Sequence, residues 1–426
     1  MQTIVNTVTY KSDEAFAKEM DAKDPLNKFR EQFHFPKKSN GEPVLYFCGN
    51  SLGLQPKTVR AAVEQELSDW EKLGVEGHFH AKNPWMPYHE FLTEKMAKVV
   101  GAKPIEVVVM NTLTVNLHLM MVSFYRPNKT KYKIVIEGGA FPSDQYAVKS
   151  QLQFHGVPAD ALIELRPRAG EDTLRTEDIE ALIEKEADSI ALIMLGGVNY
   201  YTGQLYDMKR ITAAGHKKNI TVGFDLAHAA GNVKLQLHEW DVDFAVWCGY
   251  KYLNSGPGGI AGCFVHERHA TANLPRFAGW WGHDKQTRFL MSPDFSPIKG
   301  AEGWQLSNAP VLAMASLKAS LAIFDEAGMD ALTAKSRLLT GYLEYLVNTL
   351  NNSNISIITP ADPTQRGAQL SIRIKKSDKT LFNKLIESGV ICDWREPDVI
   401  RLGPAPLYNS FLDVYEFVQL LKQHLV

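Results

Sequence analysis

Between residues 105 and 265, short apolar runs alternate with amphipathic segments, and this alternation constrains the fold more than any other feature. The runs have the length and the β-branched content of buried strands, and most of them are separated by segments with helical periodicity. Strands joined by helices pair in parallel and are covered by helices on both faces. The pattern therefore predicts an α/β fold with a mainly parallel seven-stranded sheet sandwiched by helices. The predicted strands are 107–109, 133–136, 161–165, 190–195, 221–225, 244–247 and 260–265, and the predicted helices between them are 114–125, 143–154, 176–186 and 208–218.

The remainder of the chain predicts a smaller α+β domain. Two long helical patterns, 310–327 and 329–350, are followed by unevenly spaced strand patterns. A chain of 426 residues that is 45% hydrophobic can bury a core of this size. We expect an N-terminal segment (1–55) packing with the small domain, a large domain (56–308) and a small C-terminal domain (309–426).

Charge and composition exclude several classes of protein. The formal net charge of −2 provides no positive field that would attract nucleic acid. No apolar run is long enough to span a membrane, and the first residues lack the basic start and apolar run of an export signal. The four cysteines are scattered without a C-x-x-C pair, so neither a disulfide scaffold nor a structural zinc site is indicated. We expect a cytoplasmic protein with no membrane or nucleic-acid partner.

Two side chains near strand ends are candidates for catalysis. Lys251 follows the predicted strand 244–247 and enters a glycine-rich loop, where it is either a surface lysine or a Schiff-base lysine that attacks a carbonyl group. Asp225 ends the strand before it, at the edge where open α/β sheets bind ligands. An aspartate there either caps a helix or pairs with the pyridinium nitrogen of pyridoxal phosphate.

Two strand-to-helix turns add binding groups. Thr114 lies in the turn 110–114, where a hydroxyl and free backbone N–H groups would face an anion. Phe141 follows a strand and either packs in the core or stacks on a flat cofactor. Ser143 or Asp144 would cap the helix that follows it.

This order of anion turn, aromatic ring, aspartate and lysine resembles the aspartate-aminotransferase-like superfamily of pyridoxal-phosphate enzymes, called fold type I. The resemblance spans nearly the whole chain. Within that superfamily, several segments are similar to the kynureninase family. These segments are 47–56, 111–119, 141–144, 224–229, 279–283, 306–308 and 401–410.

The resemblance to kynureninases implies an activity and an assembly. The implied reaction is the hydrolysis of L-kynurenine to anthranilate and L-alanine in tryptophan catabolism, with pyridoxal 5'-phosphate as cofactor. The preference between kynurenine and 3-hydroxykynurenine, which would give 3-hydroxyanthranilate, stays open. A homodimer with shared active sites is also implied. An aminotransferase or a cysteine desulfurase of the same superfamily is the alternative. A dinucleotide-binding oxidoreductase is disfavoured because the run 256–259 lacks the G-x-G-x-x-G spacing.

The resemblance also assigns roles to particular residues. Lys251 is the implied catalytic lysine, Asp225 the pyridinium partner, and Tyr250 a candidate for proton delivery. Arg401 is similar to the arginine that grips the substrate α-carboxylate. Trp280 and Asn308 would reach the site of a neighbouring subunit. The implied cofactor-binding residues are Leu113 (through its backbone), Thr114, Phe141, Ser143, Asp144, Asp225, His228, Tyr250, Lys251, Trp280 and Asn308, and the implied substrate-binding residues are Ser51, His78, Asn308 and Arg401.

Three further features of the sequence bear on these assignments. His78 and His80 form an H-x-H pair, which on a strand would offer two metal ligands, but no third ligand is evident, so no metal site is expected. Gly196 stands where the family often carries a hydroxyl residue, so no side chain there can bind the cofactor. Trp281 stands where a smaller aromatic residue is expected, which affects the volume of the aromatic pocket.

Overall fold

The computed structural model describes residues 8–376 and 378–425. The first residues of the chain, on which the expected lack of an export signal depends, lie outside the described part. The helices are α1 (Glu14–Lys23), α2 (Val59–Leu73), α3 (Gly77–His80), α4 (Glu90–Val100), α5 (Leu113–Phe124), α6 (Pro142–Phe154), α7 (Thr176–Glu186), α8 (Met208–Lys217), α9 (Val311–Ala327), α10 (Met329–Thr349), α11 (Thr380–Glu387) and α12 (Phe411–His424). The strands are β1 (Phe33–His34), β2 (Leu45–Tyr46), β3 (Gln55–Pro56), β4 (Val107–Val109), β5 (Lys133–Glu137), β6 (Leu162–Leu165), β7 (Ile190–Gly196), β8 (Thr221–Asp225), β9 (Phe244–Trp247), β10 (Gly262–Val265), β11 (Ile355–Ile357), β12 (Leu370–Ile374), β13 (Val390–Ile391), β14 (Asp393–Arg395) and β15 (Val399–Leu402).

The large sheet contains the seven strands that the sequence predicts. Its order is β4-β10-β9-β8-β7-β5-β6, and only β10 runs antiparallel to its neighbours. In β9, Phe244 and Val246 pack into one apolar cluster, whereas Ala245 and Trp247 pack into the other. Since side chains alternate along a strand, both faces of the sheet are covered. The expected α/β fold with a mainly parallel sheet is therefore confirmed.

The C-terminal part has a sheet and a core of its own. Strands β11, β12, β15 and β14 form a four-stranded sheet in that order, and α10 and α12 supply much of its apolar core. The N-terminal segment contacts this part, because Leu45 of β2 pairs in parallel with Val390 of β13 and α1 packs against α12. Helix α9 packs its apolar residues into the core of the large sheet. The division at residues 55 and 308 stays a prediction.

In the described part of the chain, every helix is too short or too polar to cross a membrane. The candidate site groups lie at one edge of the large sheet, where its parallel strands end. At this carboxyl edge, β8 ends at Asp225 and β9 leads to Lys251. The helices α5 and α6 begin at the same edge, so the candidate site groups converge there.

Asp243 lies immediately before β9 and anchors the opposite edge of the sheet. Its carboxylate accepts a hydrogen bond from the Val222 N–H at 2.8 Å and pairs with Arg268 Nη2 at 2.6 Å. His216 Nε2 and His269 Nε2 lie 2.9 and 2.8 Å from its oxygens. Burial alone would raise the pKa of Asp243, but the histidine hydrogen bonds and the Arg268 charge hold that pKa well below its usual range. The same hydrogen bond to Asp243 raises the pKa of His216.

We expect Asp243→Asn to lower the free energy of unfolding at pH 6 by about 3 kcal/mol, since it removes the buried carboxylate that Arg268 and His216 share. The carboxylate stabilises the fold above a pH of about 3.9 and loses this effect as pH falls through its lowered folded pKa. His216 stabilises the fold below a pH of about 6.5 and loses this effect as pH rises through its raised folded pKa. Urea unfolding at pH 6 and pH 9 should therefore show a smaller gap between the variant and the parent at pH 9.

Asp241→Asn is the matched control for this experiment. Asp241 belongs to the same network, but its side chain is 58% exposed. Exposed ion pairs contribute less than about 1 kcal/mol, so this variant should unfold almost as the parent does. Equal losses in the two variants would contradict the importance of the buried carboxylate.

Candidate active site

A cavity of about 160 Å³ lies at the carboxyl edge of the large sheet. It is bounded by the ends of β5, β7 and β8, by the loop after β9 and by the first turns of α5 and α6. Nine of the predicted cofactor-binding residues line it together. These are Leu113, Thr114, Phe141, Ser143, Asp144, Asp225, His228, Tyr250 and Lys251.

The Lys251 amine faces the aromatic side of this cavity. Its Nζ lies 2.9 Å from Nε2 of His228, 5.8 Å from the centre of the Phe141 ring and 5.9 Å from that of Tyr250. Burial, followed by the positive charge of Lys251, holds the pKa of His228 well below its usual range. The imidazole is therefore neutral, and its Nε2 accepts a hydrogen bond from Lys251 Nζ. This contact fixes the position of the amine.

Two helices begin side by side at the cavity. Thr114 lies in the first turn of α5 and Ser143 in the first turn of α6, and their hydroxyl oxygens are 2.8 Å apart. The first N–H groups of a helix have no intrahelical acceptor and carry partial positive charge. Two hydroxyls beside two helix N-termini form a site suited to a phosphate group.

Three carboxyl groups also line the cavity. Asp225 accepts a hydrogen bond from the Ala227 N–H at 2.7 Å, and burial raises its pKa although the Lys251 charge opposes this. Burial and the charges of Asp225 and Glu137 raise the pKa of Asp144 well above its usual range. Burial raises the pKa of Glu137 to about 7. A ligand with a protonated ring nitrogen would relieve the repulsion among these groups.

Comparison with known proteins identifies the family. Residues 332–421 match the model of the kynureninase C-terminal domain. The chain is 61% identical over 412 residues to the kynureninase of Koribacter versatilis (strain Ellin345), covering 96% of this chain and 97% of the relative. The chain belongs to the kynureninase family. The kynureninase of Myxococcus xanthus (strain DK1622) is 60% identical over 417 residues, covering 97% and 98% of the two chains.

Solved structures support the fold that the family implies. The cysteine desulfurase CsdA of Escherichia coli superimposes with a TM-score of 0.75 at 18% identity, covering 94% of this chain and 98% of that chain. A mutant of C-DES with glycine covalently linked to its PLP cofactor also gives 0.75, at 16% identity, covering 89% and 96%. At this identity the similarity concerns the fold alone, which is that of fold type I.

As a kynureninase, the chain is a pyridoxal-phosphate enzyme and a hydrolase of carbon–carbon bonds, and the cavity fits the cofactor. Thr114 and Ser143 suit its phosphate, Phe141 its flat ring, and Lys251 its aldehyde. The strongest indication is the excess of carboxyl groups around Asp225, which a pyridinium nitrogen would balance. The Nδ1 atom of His228 is also buried without a partner among the described residues.

Five predicted residues do not line the cavity. Trp280 is 43% exposed and Asn308 is exposed. Ser51 and His78 are half-buried, and Arg401 is buried near the cavity. Their assigned roles in the kynureninase site stay predictions.

The H-x-H pair lies on a helix and not on a strand. His78 and His80 lie on the short helix α3, because the preceding 3₁₀ turn over Gly74–Glu76 leads directly into it. His78 Nδ1 lies 2.9 Å from the carbonyl oxygen of Val75, which is a local contact of this helical segment. Side chains two residues apart on a helix point in different directions, so this pair does not form the two-ligand arrangement of a strand.

Gly196, which stands where the family often carries a hydroxyl residue, lies against the carboxyl group of Glu137. Gly196 ends β7 beside Asp225, and its N–H donates to Glu137 Oε2 at 3.0 Å. A Cβ atom at position 196 would lie 2.8 Å from Glu137 Oε1. The Glu137 carboxyl therefore occupies the space next to the glycine, and the backbone N–H of Gly196 already has an acceptor.

Trp281, which stands where a smaller aromatic residue is expected, does not line the cavity. The Trp281 ring is 1% exposed and packs against the guanidinium of Arg288, whose Cζ lies 4.6 Å from the ring centre. Arg288 Nη2 also donates to the Trp281 carbonyl oxygen at 2.6 Å. The larger ring is therefore accommodated within the segment 280–288.

Sequence reasoning missed several cavity residues. Glu137 ends β5, and Tyr200 lies in the loop after β7. Their position after parallel strands was the available signal, because carboxyl ends of parallel strands meet at one edge. The other lining residues that were not predicted are Thr112, Val198 and Ala227.

Proposed function

We propose that this kynureninase hydrolyses L-kynurenine to anthranilate and L-alanine. The observation that carries the proposal is that Lys251, Asp225 and the Thr114–Ser143 hydroxyl pair line one cavity in a chain with this family membership. The direct test is the release of anthranilate fluorescence from L-kynurenine, with pyridoxal phosphate present and no keto acid added. A strict requirement for a keto acid would contradict the proposal, since transamination consumes one.

The residues of this chain would divide the chemistry among them. When bound, pyridoxal phosphate acts as an electron sink for the substrate α-carbon. Lys251 Nζ would take the proton from that carbon, and neutral His228 would orient the amine through the 2.9 Å contact. Asp225 would keep the ring nitrogen protonated. Tyr250 would contact the phosphate and would also be a proton donor in the reaction, and burial raises its pKa, which keeps the phenol protonated at neutral pH.

Cysteine desulfurase chemistry is disfavoured by the positions of the thiols. In the described part of the chain, no cysteine lines the cavity. Burial raises the pKa of Cys48 to about 12, and burial raises that of Cys392 as well. A nucleophilic cysteine needs an accessible sulfur and a lowered pKa. The similarity to desulfurases therefore reflects the shared fold.

We expect Arg401→Lys to raise the KM for L-kynurenine at least tenfold while kcat falls less. Arg401 is 1% exposed and its Nη1 donates to the carbonyl oxygen of Tyr200, a cavity residue, at 2.6 Å. A lysine cannot reproduce a two-pronged grip on a carboxylate, and a tenfold change in affinity corresponds to about 1.4 kcal/mol. Steady-state kinetics measure both constants, and an unchanged KM would show that another cation binds the carboxylate.

The homodimer and the cytoplasmic location are also part of the proposal. The segment 277–291 carries several exposed apolar side chains that association would cover. Trp280 lies in this segment, which agrees with its implied role at a neighbouring subunit's site. Sedimentation of the holoenzyme would test the dimer. The exposed residues are Phe277, Trp280, Phe289, Leu290 and Met291.

A further inference from the structure

The charge of Arg401 is already paired within the protein. Arg401 Nη2 donates to Asp393 Oδ2 in a short contact, and Arg401 Nη1 donates to the carbonyl oxygen of Tyr200. An arginine neutralised by its own carboxylate attracts a substrate carboxylate only weakly. If Arg401 binds the α-carboxylate as proposed above, a further positive charge is required.

Arg395 supplies a second guanidinium on the same carboxylate. Its Nη2 donates to Asp393 Oδ2 at 3.0 Å. The strand register explains this, because β14 and β15 are antiparallel with Asp393 opposite Arg401. Arg395 is two residues from Asp393 on β14, so both side chains project from the same face of the sheet.

The group of Arg395, Asp393 and Arg401 carries a net positive charge. Among the described residues, Asp393 is the only carboxylate within 4.0 Å of either guanidinium. The side chains of Arg401 and Asp393 are 1% and 13% exposed, and that of Arg395 is 34% exposed. In such a partly buried group, the uncompensated positive charge favours the binding of an anion.

This charged group lies beside the proposed active site. The charges of Arg401 and Arg395 both contribute to lowering the pKa of His228, after burial and the charge of Lys251. His228 and Tyr200 line the cavity. The Nε atoms of Arg395 and Arg401 are both buried without a partner among the described residues, so each retains a donor for an acceptor group.

We propose that Arg395 is a specificity-determining residue, whose charge offsets Asp393 so that Arg401 can bind the α-carboxylate of an amino-acid substrate. Asp393 is then a positioning residue that holds both guanidiniums in place. This inference rests on the proposed function and deepens it. It predicts selectivity for an amine that carries an adjacent carboxylate over the same amine without one.

The test compares Arg395→Gln, Arg395→Lys and the control Arg373→Gln. Arg373 lies on β12 of the same sheet, its side chain is 33% exposed, and it pairs with Asp172. For L-kynurenine, Arg395→Gln should raise KM at least tenfold with kcat within threefold of the parent. Arg395→Lys keeps the charge and Arg373→Gln leaves the group intact, so both should keep KM within threefold. A parent-like KM in Arg395→Gln would overturn the inference.

A second readout separates this inference from the proposed reaction. The affinity of the holoenzyme for L-alanine, followed by the absorbance of the bound cofactor, requires no turnover. Arg395→Gln should bind L-alanine at least tenfold more weakly, whereas ethylamine, which lacks the carboxylate, should bind both proteins equally. Equal L-alanine affinities would overturn the role of Arg395, while a parent enzyme that releases no anthranilate would overturn only the proposed reaction. If Arg395→Gln does not fold, Arg395→Met is the neutral variant.

Discussion

Replacing Lys251 with alanine should lower the turnover of L-kynurenine by ~10³-fold or more, because the variant loses both the group that bonds the cofactor and the base at the substrate α-carbon. The Lys251 amine is the only lysine amine on the cavity wall in the described part of the chain, and His228 holds it at 2.9 Å. The visible absorbance that depends on the bond between protein and cofactor should disappear together with activity. Assays of anthranilate release and an absorbance spectrum of the same sample measure both effects.

Lys318→Ala is the control for this variant. Lys318 is a partly buried lysine whose Nζ lies 5.5 Å from the ring centre of Tyr88, away from the cavity. It should keep full activity and the full visible spectrum. A Lys251→Ala protein with parent-like turnover would refute the assignment of the catalytic lysine.

Replacing Asp225 with asparagine should lower turnover about 100-fold, as removal of a preorganised charge at a reaction centre commonly does. Asparagine can preserve the turn in which the side-chain oxygen accepts the Ala227 N–H at 2.7 Å. It cannot hold a proton on the ring nitrogen of the cofactor. The loss should therefore appear in kcat and in the cofactor spectrum, with little change in the urea midpoint.

Asp207→Asn is the control for Asp225→Asn, because Asp207 is an aspartate that caps a helix. It addresses the alternative interpretation, in which Asp225 is only a structural cap. Asp207 caps α8 by accepting the Arg210 N–H at 3.0 Å, and it lies outside the cavity. Asparagine is also a good cap, so this variant should keep full activity. If Asp225→Asn also keeps full activity, the role of Asp225 is confined to its turn.

The sequence predicted the large sheet because its strands are buried on both faces. Such strands appear as continuous apolar runs, and the observed bounds of β8 and β9 agree with the predicted ones. The catalytic candidates Asp225 and Lys251 could be predicted for a related reason, since Asp225 ends one buried strand and Lys251 lies shortly after the next, at the same edge. A charged residue at the end of such an apolar run is conspicuous.

Elements that depend on distant partners could not be predicted. The two-residue strands β2 and β13 pair across more than 300 residues of chain, and neither has a pattern of its own. Helix α1 is mostly polar, with only Phe16 and Ala17 buried. Its position depends on α12, which the local sequence does not encode.

The candidate site shows the same limit. Glu137 resembles an ordinary charged residue at the end of a strand, and only the folded chain places its carboxyl beside Gly196. Arg395 likewise resembles a surface arginine, and its significance follows from the carboxylate that it shares with Arg401. Burial and charge balance are properties of the assembled neighbours, so these roles are visible only in three dimensions.

The central claim is that the Lys251 amine bonds pyridoxal phosphate in a cavity bounded by Asp225. The most direct measurement is reduction of the holoenzyme with borohydride, followed by peptide mapping. We expect one labelled peptide, with the reduced cofactor attached at Lys251. A label on another lysine, or a folded protein that takes up no label after incubation with pyridoxal phosphate, would contradict the claim.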